Sequence, residues 1–304
     1  MANELPKRRI CGAGEAHMRL CEMHPEFRQR RGEIHFQTEQ LIRKGLAFRK
    51  AKSSLIKIPV VVHVVYKQAS ENISDAQVKS QIAALNRDYQ SKNADKSKVP
   101  APWKGLVANV GIQFFLATKD PKGGSTNGIT RTQTSHDSFT TDDKVKFAAQ
   151  GGTDAWPTNK YLNLWACSLG GGLLGYAQFP GGPVATDGVV ILNTGFGTNG
   201  TAAAPFNLGR TATHEVGHWL NLNHIWGDTS DCSGTDHVDD TPDAQLPNYG
   251  KPAFPHVTCN NGPNGDMFPN YMDYVDDDTM VMFTQGQMAR MHATLTGPRS
   301  GIGT

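Results

Sequence analysis

Between residues 214 and 224 the chain reads His-Glu-Val-Gly-His-Trp-Leu-Asn-Leu-Asn-His, and no other stretch restricts its fold so tightly. His214 and His218, four apart, project from one face of a helix on successive turns. Two imidazoles so placed can reach one metal ion at about 2.0–2.1 Å, the length of a zinc–nitrogen bond. Glu215, one step round the helix, stands beside such an ion without occupying a coordination position, which is where a general base for hydrolysis is needed. A continuous helix would carry His224 almost three turns from His214, too far to share the metal. The helix must therefore end near Leu220 and the chain must turn back. Such a reversal calls for a left-handed residue, and Asn221 adopts that conformation most readily after Gly. With 11 His and 8 Glu in 304 residues, a random His-Glu-x-x-His arises in about one such chain in a hundred, before a third His is required. The bland alternative, an amphipathic helix with solvated histidines, is set aside on that ground.

The extended pattern resembles the metzincin signature of zinc endopeptidases, His-Glu-x-x-His-x-x-Gly-x-x-His followed by a Met-turn. Asn221 departs from its Gly. Asn270-Tyr271-Met272-Asp273-Tyr274 resembles the Met-turn, and His-Ile-Trp-Gly from His224 and Met-Phe-Thr-Gln-Gly-Gln-Met-Ala-Arg-Met from Met282 resemble the pappalysin family in its small ulilysin-like branch. The resemblance runs roughly from Arg9 to Leu295. It implies an α/β fold: a metzincin-type twisted, mostly parallel sheet with an antiparallel edge strand, an active-site helix and a loop-rich C-terminal subdomain. It also implies that Met272 packs beneath the three histidines and that Tyr274 donates a hydrogen bond to a developing oxyanion. Preference for Lys or Arg beside the cut is a further implication, with no acidic pocket residue evident from the sequence.

At 304 residues the chain has room for a catalytic domain and an appendage. Charge divides it. Residues 1–52 hold 12 Lys or Arg against 6 Glu, and the remainder 18 against 22 Asp or Glu. No nucleic-acid motif accompanies the basic part, so it reads as a prosegment lying on its own acidic enzyme. The expected organisation is a prosegment over 1–52 and a catalytic domain over 53–304, with subdomains of about 53–224 and 225–304. No apolar run approaches the length of a membrane span. The first ten residues lack the apolar core of a secretory signal, so secretion would need a leader removed beforehand or another export route.

Five cysteines leave at least one unpaired. Cys232 and Cys259, which flank an Asp-rich loop, are the disulfide candidates. Relatives commonly carry a second bridge where this chain has Lys251 and Thr279. Cys11, in Arg8-Arg9-Ile10-Cys11-Gly12, can cap the zinc of a latent enzyme as related zymogens do, because a thiolate is a strong zinc ligand; the alternative is a surface thiol without a role. Cys21 is expected in a small apolar interface and Cys167 in a buried strand. Residues 43–52 read as an exposed, easily cut basic linker.

Further along, Ile58 to Tyr66 reads as a strand buried on both faces, with His63 a core residue. Ser74 caps a helix from Asp75 to about Tyr89, with Val78, Ile82 and Leu85 at helical spacing. Strands are expected at 111–118, 160–168 and 187–193, and a short helix at 142–150 capped by Thr141. Gly175 to Pro180 suits an edge strand able to add an extended peptide antiparallel to itself, or simply one blunted by its prolines. From Asp228 to Asp243 six of sixteen residues are Asp. That composition suits Ca²⁺, and the resemblance places structural calcium here, matched loosely to Asp236, Asp239, Asp240 and Thr241; a solvated acidic loop is the alternative. His237 and His256 are not expected at the catalytic metal.

The sequence thus reads as a secreted zinc endopeptidase made as a zymogen. His214, His218 and His224 would hold zinc, and Glu215 and Tyr274 would serve catalysis on protein or peptide substrates, with neither nucleic acid nor membrane as partner. Two rivals stand beside it. A catalytically silent zinc-scaffolded binding protein would have no need of Glu215, and a delivered proteolytic toxin would use the same chemistry in another setting.

Overall fold

The β-branched run after the linker forms the central strand β1 (Ile56–Tyr66), whose residues from Val60 to Val65 are all buried. The structure, a computed structural model, describes residues 6–48 and 55–303. The expected cleavage stretch Arg49-Lys50-Ala51-Lys52-Ser53 lies outside the described residues. On one side β1 pairs in parallel with β2 (Ile112–Leu116) through its first half and with β3 (Ile129–Gln133) through its second. On the other side it pairs in parallel with β4 (Leu162–Cys167), and β4 with β6 (Val189–Leu192). The short strand β5 (Gly175–Ala177) closes the edge antiparallel to β6. This is the mixed sheet with an antiparallel edge strand that the sequence implied.

Alternation along β4 divides the core. Leu162, Leu164 and Ala166 face the larger cluster, while Trp165 and Cys167 face the smaller one with Tyr176, Val190 and Leu192. Helix α3 (Asp75–Tyr89) covers the larger face, capped by Ser74 Oγ accepting from the Gln77 amide at 3.1 Å. Helix α4 (Arg210–Trp219) lies beside it, buried along its whole length. Tyr89 donates from its hydroxyl to the Thr213 carbonyl at 3.1 Å, and Thr213 Oγ1 donates to Asp88 at 2.8 Å, so α3 fixes the height of α4.

The stretch 142–150 is two single 3-10 turns, Lys144–Lys146 and Ala148–Gln150, rather than the short helix expected. Asp143 at φ 65° and Gly151 at φ 80° interrupt any helical path there. Strand β3 was not evident in the sequence. His63 is a core residue, its ring nitrogens satisfied by Thr130 at 2.7 Å and Asn163 at 3.0 Å.

Beyond α4 the chain is mostly loops, with a two-residue pairing of β7 (Tyr249–Gly250) against β8 (Tyr274–Val275) and the C-terminal helix α5 (Gln285–Thr296). Cys232 and Cys259 form a disulfide, and Lys251 pairs with Asp278. The N-terminal segment folds as α1 (Ala13–Met23) and α2 (Pro25–Arg43). Cys21 of α1 is buried with Ala13, Leu20, Phe27 and Phe179, and Cys167 is buried within β4.

Candidate active site

Helix α4 presents His214 and His218 one turn apart, and the chain then reverses. Asn221 has φ 76°, and the Leu222 amide bonds back to the Gly217 carbonyl at 2.9 Å. The reversal brings His224 round to the first two histidines. The three Nε2 atoms lie 3.2, 3.0 and 3.3 Å from one another. Each outer nitrogen is anchored: His214 Nδ1 to the Tyr271 carbonyl at 2.7 Å, His218 Nδ1 to the Leu222 carbonyl at 2.8 Å, and His224 Nδ1 to Asp228 Oδ1 at 2.6 Å. Carbonyl and carboxylate oxygens only accept, so every Nδ1 carries its ring's proton and donates.

Three lone pairs therefore point at one another across a buried gap, an arrangement that is repulsive without a cation. Zinc–nitrogen bonds of about 2.0–2.1 Å in tetrahedral geometry put neighbouring nitrogens about 3.3 Å apart, so the donor set fits zinc. Burial and neighbouring histidines hold the His214 ring well below its ordinary pKa, and burial and then His224 hold His218 down to about 3. These rings are neutral, as ligands must be.

Below and around the ring the packing is tight. A Cβ built on Gly217 would meet Met272 Sδ at 2.5 Å, so the buried methionine sits directly against the helix between the two histidines. Trp226 stacks flat on His224, centroids 4.3 Å apart. The Tyr274 ring stands edge-on to His224 at 4.9 Å. Glu215 is buried under the edge strand, where a Cβ on Gly175 would lie 3.0 Å from its Cγ; only glycine lets the strand pass so close. Burial pushes the Glu215 carboxyl up to about 8, against lowering contributions from Cys11 and Arg9.

The N-terminal segment enters this cleft. Ile10 accepts from the Leu174 amide at 3.0 Å, and the Gly12 amide donates to the Gly175 carbonyl at 2.9 Å. The segment thus lies along the free edge at β5, running parallel to the strand. The edge expected to take peptides antiparallel is held by the chain itself in the opposite sense. Cys11 Sγ donates to Glu215 Oε2 at 3.4 Å, and together with the three imidazoles it forms a set whose ligand atoms all lie within 4.8 Å of one another. Tyr274 Oη donates to the Cys11 carbonyl at 3.4 Å. Two residues earlier Arg9 is buried, its Nη2 bonded to Asp277 Oδ1 at 2.7 Å and its Nη1 to Thr211 at 3.1 Å. Its guanidinium lies over Phe206, and that of the exposed Arg8 over Tyr249.

In the Asp-rich loop the carboxylates are engaged by the chain's own donors. Asp236 is buried and accepts from the Val238 amide at 3.1 Å and the Thr241 hydroxyl at 2.7 Å, while Asp240 accepts from the Gly286 amide at the start of α5 at 2.9 Å. Among the described residues, the His, Cys, Asp and Glu side chains grouped tightly enough to hold a metal are Cys11, His214, His218 and His224, without Asp239 or its neighbours. His237 lies beside His35, and His256 beside Asp266 at 3.3 Å, away from the cluster. Asp228 and Asp277 were not singled out from the sequence. Asp228 follows His224 by four residues, a spacing that could have flagged it. Asp277 sits inside an acidic triplet with nothing local to distinguish it from its neighbours.

Anchored outer nitrogens, inner nitrogens converging, and a carboxylate kept alongside define a zinc metallopeptidase, and the sheet above it is that of a metzincin. The comparisons agree. The peptidase family model described as pregnancy-associated plasma protein-A matches residues 142–296. An extracellular metalloprotease of Pyricularia oryzae is 36% identical over 261 residues, 83% of this chain and 79% of the relative. Among solved structures, Tannerella forsythia mature mirolysin in complex with a cleaved peptide is 52% identical, covering 82% of this chain and 96% of that one, with a TM-score of 0.79. A Tannerella forsythia promirolysin mutant is 47% identical over 96% of each chain, with a TM-score of 0.85. The chain belongs to the pappalysin family and is a zinc-dependent endopeptidase.

Proposed function

We propose that His214, His218 and His224 hold the catalytic zinc, that Glu215 and Tyr274 carry the chemistry, and that residues 1–52 form a prosegment keeping the domain from 53 onwards latent. The observation that carries this reading is the convergence of three Nε2 lone pairs beside Glu215, with Cys11 at the remaining side. Zinc bound there supplies Lewis-acid polarisation of water and of the scissile carbonyl. Glu215 takes the proton from the attacking water and passes it to the leaving amine, a role matched to a carboxyl whose pKa burial has raised. Tyr274, freed from the Cys11 carbonyl, donates to the oxyanion. The edge at β5, freed from residues 10–12, grips the substrate backbone. Asp277, freed from Arg9, pairs with a Lys or Arg of the substrate, which supports a preference for basic residues beside the cut.

Removal of the segment would proceed by cleavage near Arg49 to Ser53. Like relatives named extracellular metalloproteases, the enzyme would work outside the cell; among the described residues no helix is long and apolar enough to cross a membrane. Structural calcium near Asp236, Asp239, Asp240 and Thr241 rests on composition and resemblance. Adding EGTA with zinc kept saturating should lower the melting temperature if it is present.

The central test measures zinc and activity together. Glu215→Ala should retain about one zinc per chain and lose casein cleavage by at least 10²–10⁴-fold, whereas His218→Ala should lose both. Comparable activity in Glu215→Ala would remove the mechanism.

A further inference from the structure

Helix α2 meets the catalytic body where cations crowd. The His35 ring lies between two guanidiniums, its Nε2 3.1 Å from Arg31 Nη2 and its Nδ1 2.6 Å from Arg290 Nη2. Arg31 belongs to α2, one turn before His35, and Arg290 belongs to α5. Both reach the Asn221 reversal: Arg31 Nη1 donates to the Asn221 side chain at 2.6 Å, and Arg290 Nε to its carbonyl at 2.7 Å. Thr38 of α2 accepts from the Asn221 amide group at 3.4 Å. Both guanidiniums are buried, and Arg31 Nε and Arg290 Nη1 have no hydrogen-bond partner among the described residues.

A neutral imidazole offers one lone pair and one N–H. It can accept from one arginine, and its other nitrogen must then meet donors on the second. Adding a proton removes the lone pair and places a third positive charge between two others. The surroundings do not relieve this. From the Asp-rich loop His237 faces His35, centroids 4.7 Å apart, and His17 of α1 acts on it with the same sign. The acids within electrostatic reach, Asp236 from that loop and Glu39 of α2, act on Arg290 rather than bonding to the ring.

We propose that mild acid unlatches the N-terminal segment: protonation of His35 between Arg31 and Arg290 drives α2 off α5 and off the Asn221 reversal. The consequence for activation rests on the reading that this segment maintains latency. Burial, then Arg31 and Arg290, hold the docked His35 down to about 2. His17, packed edge-on against Phe27 and Phe179, is held down to about 4 by burial, then by Arg31 and Arg28. In the released segment both rings return to about 6.5. A depressed docked value means that docking is strongest above about 6.5 and weakens as pH falls, by at most about tenfold per pH unit for each histidine.

The test uses the full, zinc-loaded chain. Glu215→Gln prevents self-cleavage, and hydrogen exchange of the α2 amides, corrected for the intrinsic pH dependence of exchange, reads docking directly. Between pH 6.5 and 5.5 the open population should rise by about 30-fold, since each ring with a released value of about 6.5 contributes about fivefold there. His35→Gln should reduce that rise about fivefold, leaving the His17 share, and His17→Gln with His35→Gln should abolish it. His35→Glu, a fixed anion between the arginines, should slow opening at every pH. An equal rise in His35→Gln and the parent, or none in the parent, overturns the proposal. A second arm follows the lag before peptide cleavage in the chain with Glu215 intact, normalised to the mature rate at each pH. If α2 opens with acid and the lag does not shorten, the latch stands and the latency reading fails. If the lag shortens while α2 stays protected, acid acts elsewhere and the latch is wrong.

Discussion

Asp277 holds Arg9 in an ion pair sealed from water, Oδ1 to Nη2 at 2.7 Å with the two side chains 0% and 1% exposed, although 268 positions separate them in the chain. The same carboxylate accepts from the Leu208 amide at 2.7 Å through its other oxygen, which fixes it as a rigid floor. Breaking such a buried pair by deleting one partner costs about 3–5 kcal/mol. Arg9→Ala should therefore loosen the segment and shorten the activation lag by at least tenfold, with the mature rate unchanged. Asp277→Asn keeps an oxygen for Leu208 but loses the charge. In the mature enzyme it should lower kcat/KM for peptides with Lys or Arg beside the cut by about 100-fold relative to neutral peptides. An unchanged cleavage profile in a peptide library would mean that Arg9 occupies a pocket that substrates do not use.

Gly217 and Met272 form the second tight relationship. Alanine at 217 would place its Cβ 2.5 Å from a sulfur that is itself fully buried. Overpacking of this kind costs about 1–3 kcal/mol, so Gly217→Ala should lower the denaturation midpoint and disturb the spacing of His214 and His218. Met272→Ala alone leaves a cavity and should cost about 2–5 kcal/mol. Because each change relieves part of the other's problem, the double variant should be less destabilised than the sum of the two. Additive losses in urea unfolding would show that the helix and the methionine do not share this space.

What was legible in the sequence was what local periodicity or coordination chemistry imposes. Helix α3 declares itself through Ser74 and the spacing of Val78, Ile82 and Leu85, and β1 through six buried residues in a row. The reversal after α4 was forced by the demand that His224 join two residues already placed, and Asn221 does take the left-handed conformation. Strand β3 was hidden because it is half exposed and Thr-rich; its pairing with the far half of β1 is tertiary information. Asp277 was hidden for a similar reason. Its burial comes from the distant Arg9, Leu208 and Arg210 that close over it, and one Asp among Asp276, Asp277 and Asp278 carries no local sign of this. The parallel run of residues 10–12 along the edge at β5 depends on where two distant segments meet, which periodicity does not encode.

Asn221 replaces the glycine of the related signature, and the difference has two separable effects. At φ 76° glycine is at least as comfortable as asparagine, so Asn221→Gly should leave the melting temperature of the mature enzyme unchanged or slightly raised. In the uncut chain the Asn221 side chain accepts from Arg31 at 2.6 Å and donates to Thr38 at 3.4 Å. A hydrogen bond to a charged group contributes about 1.5–3 kcal/mol. The same substitution should therefore weaken docking of the segment about 10-fold to 100-fold and shorten the lag. Equal melting shifts in the cut and uncut forms would show that Asn221 acts on the turn alone.

Cys11 and Cys21 separate ligation from simple obstruction. Cys11 Sγ lies with the three imidazole nitrogens in one cluster and donates to Glu215, so the thiol faces both the imidazole nitrogens and the carboxyl. Enclosure and the Glu215 carboxylate push that thiol well above its ordinary pKa, and a cation at the cluster reverses this by favouring the thiolate. Cys11→Ala removes the thiol while leaving the backbone bonds of Ile10 and Gly12 to the edge strand, and the Arg9–Asp277 pair, in place. The lag should shorten at least tenfold, and the mature rate, measured after the segment has gone, should match the parent. Cys21, buried among Leu20, Phe27 and Phe179, is not among the four side chains grouped as ligands, so Cys21→Ala should leave the lag within about twofold. Cobalt in place of zinc gives a readout independent of turnover: the uncut parent should show thiolate-to-metal charge-transfer absorption that Cys11→Ala lacks and that disappears when the segment is cleaved. A Cys11→Ala chain that activates as slowly as the parent would assign latency to the backbone pairing and the Arg9 pocket, since those are the contacts the substitution leaves intact.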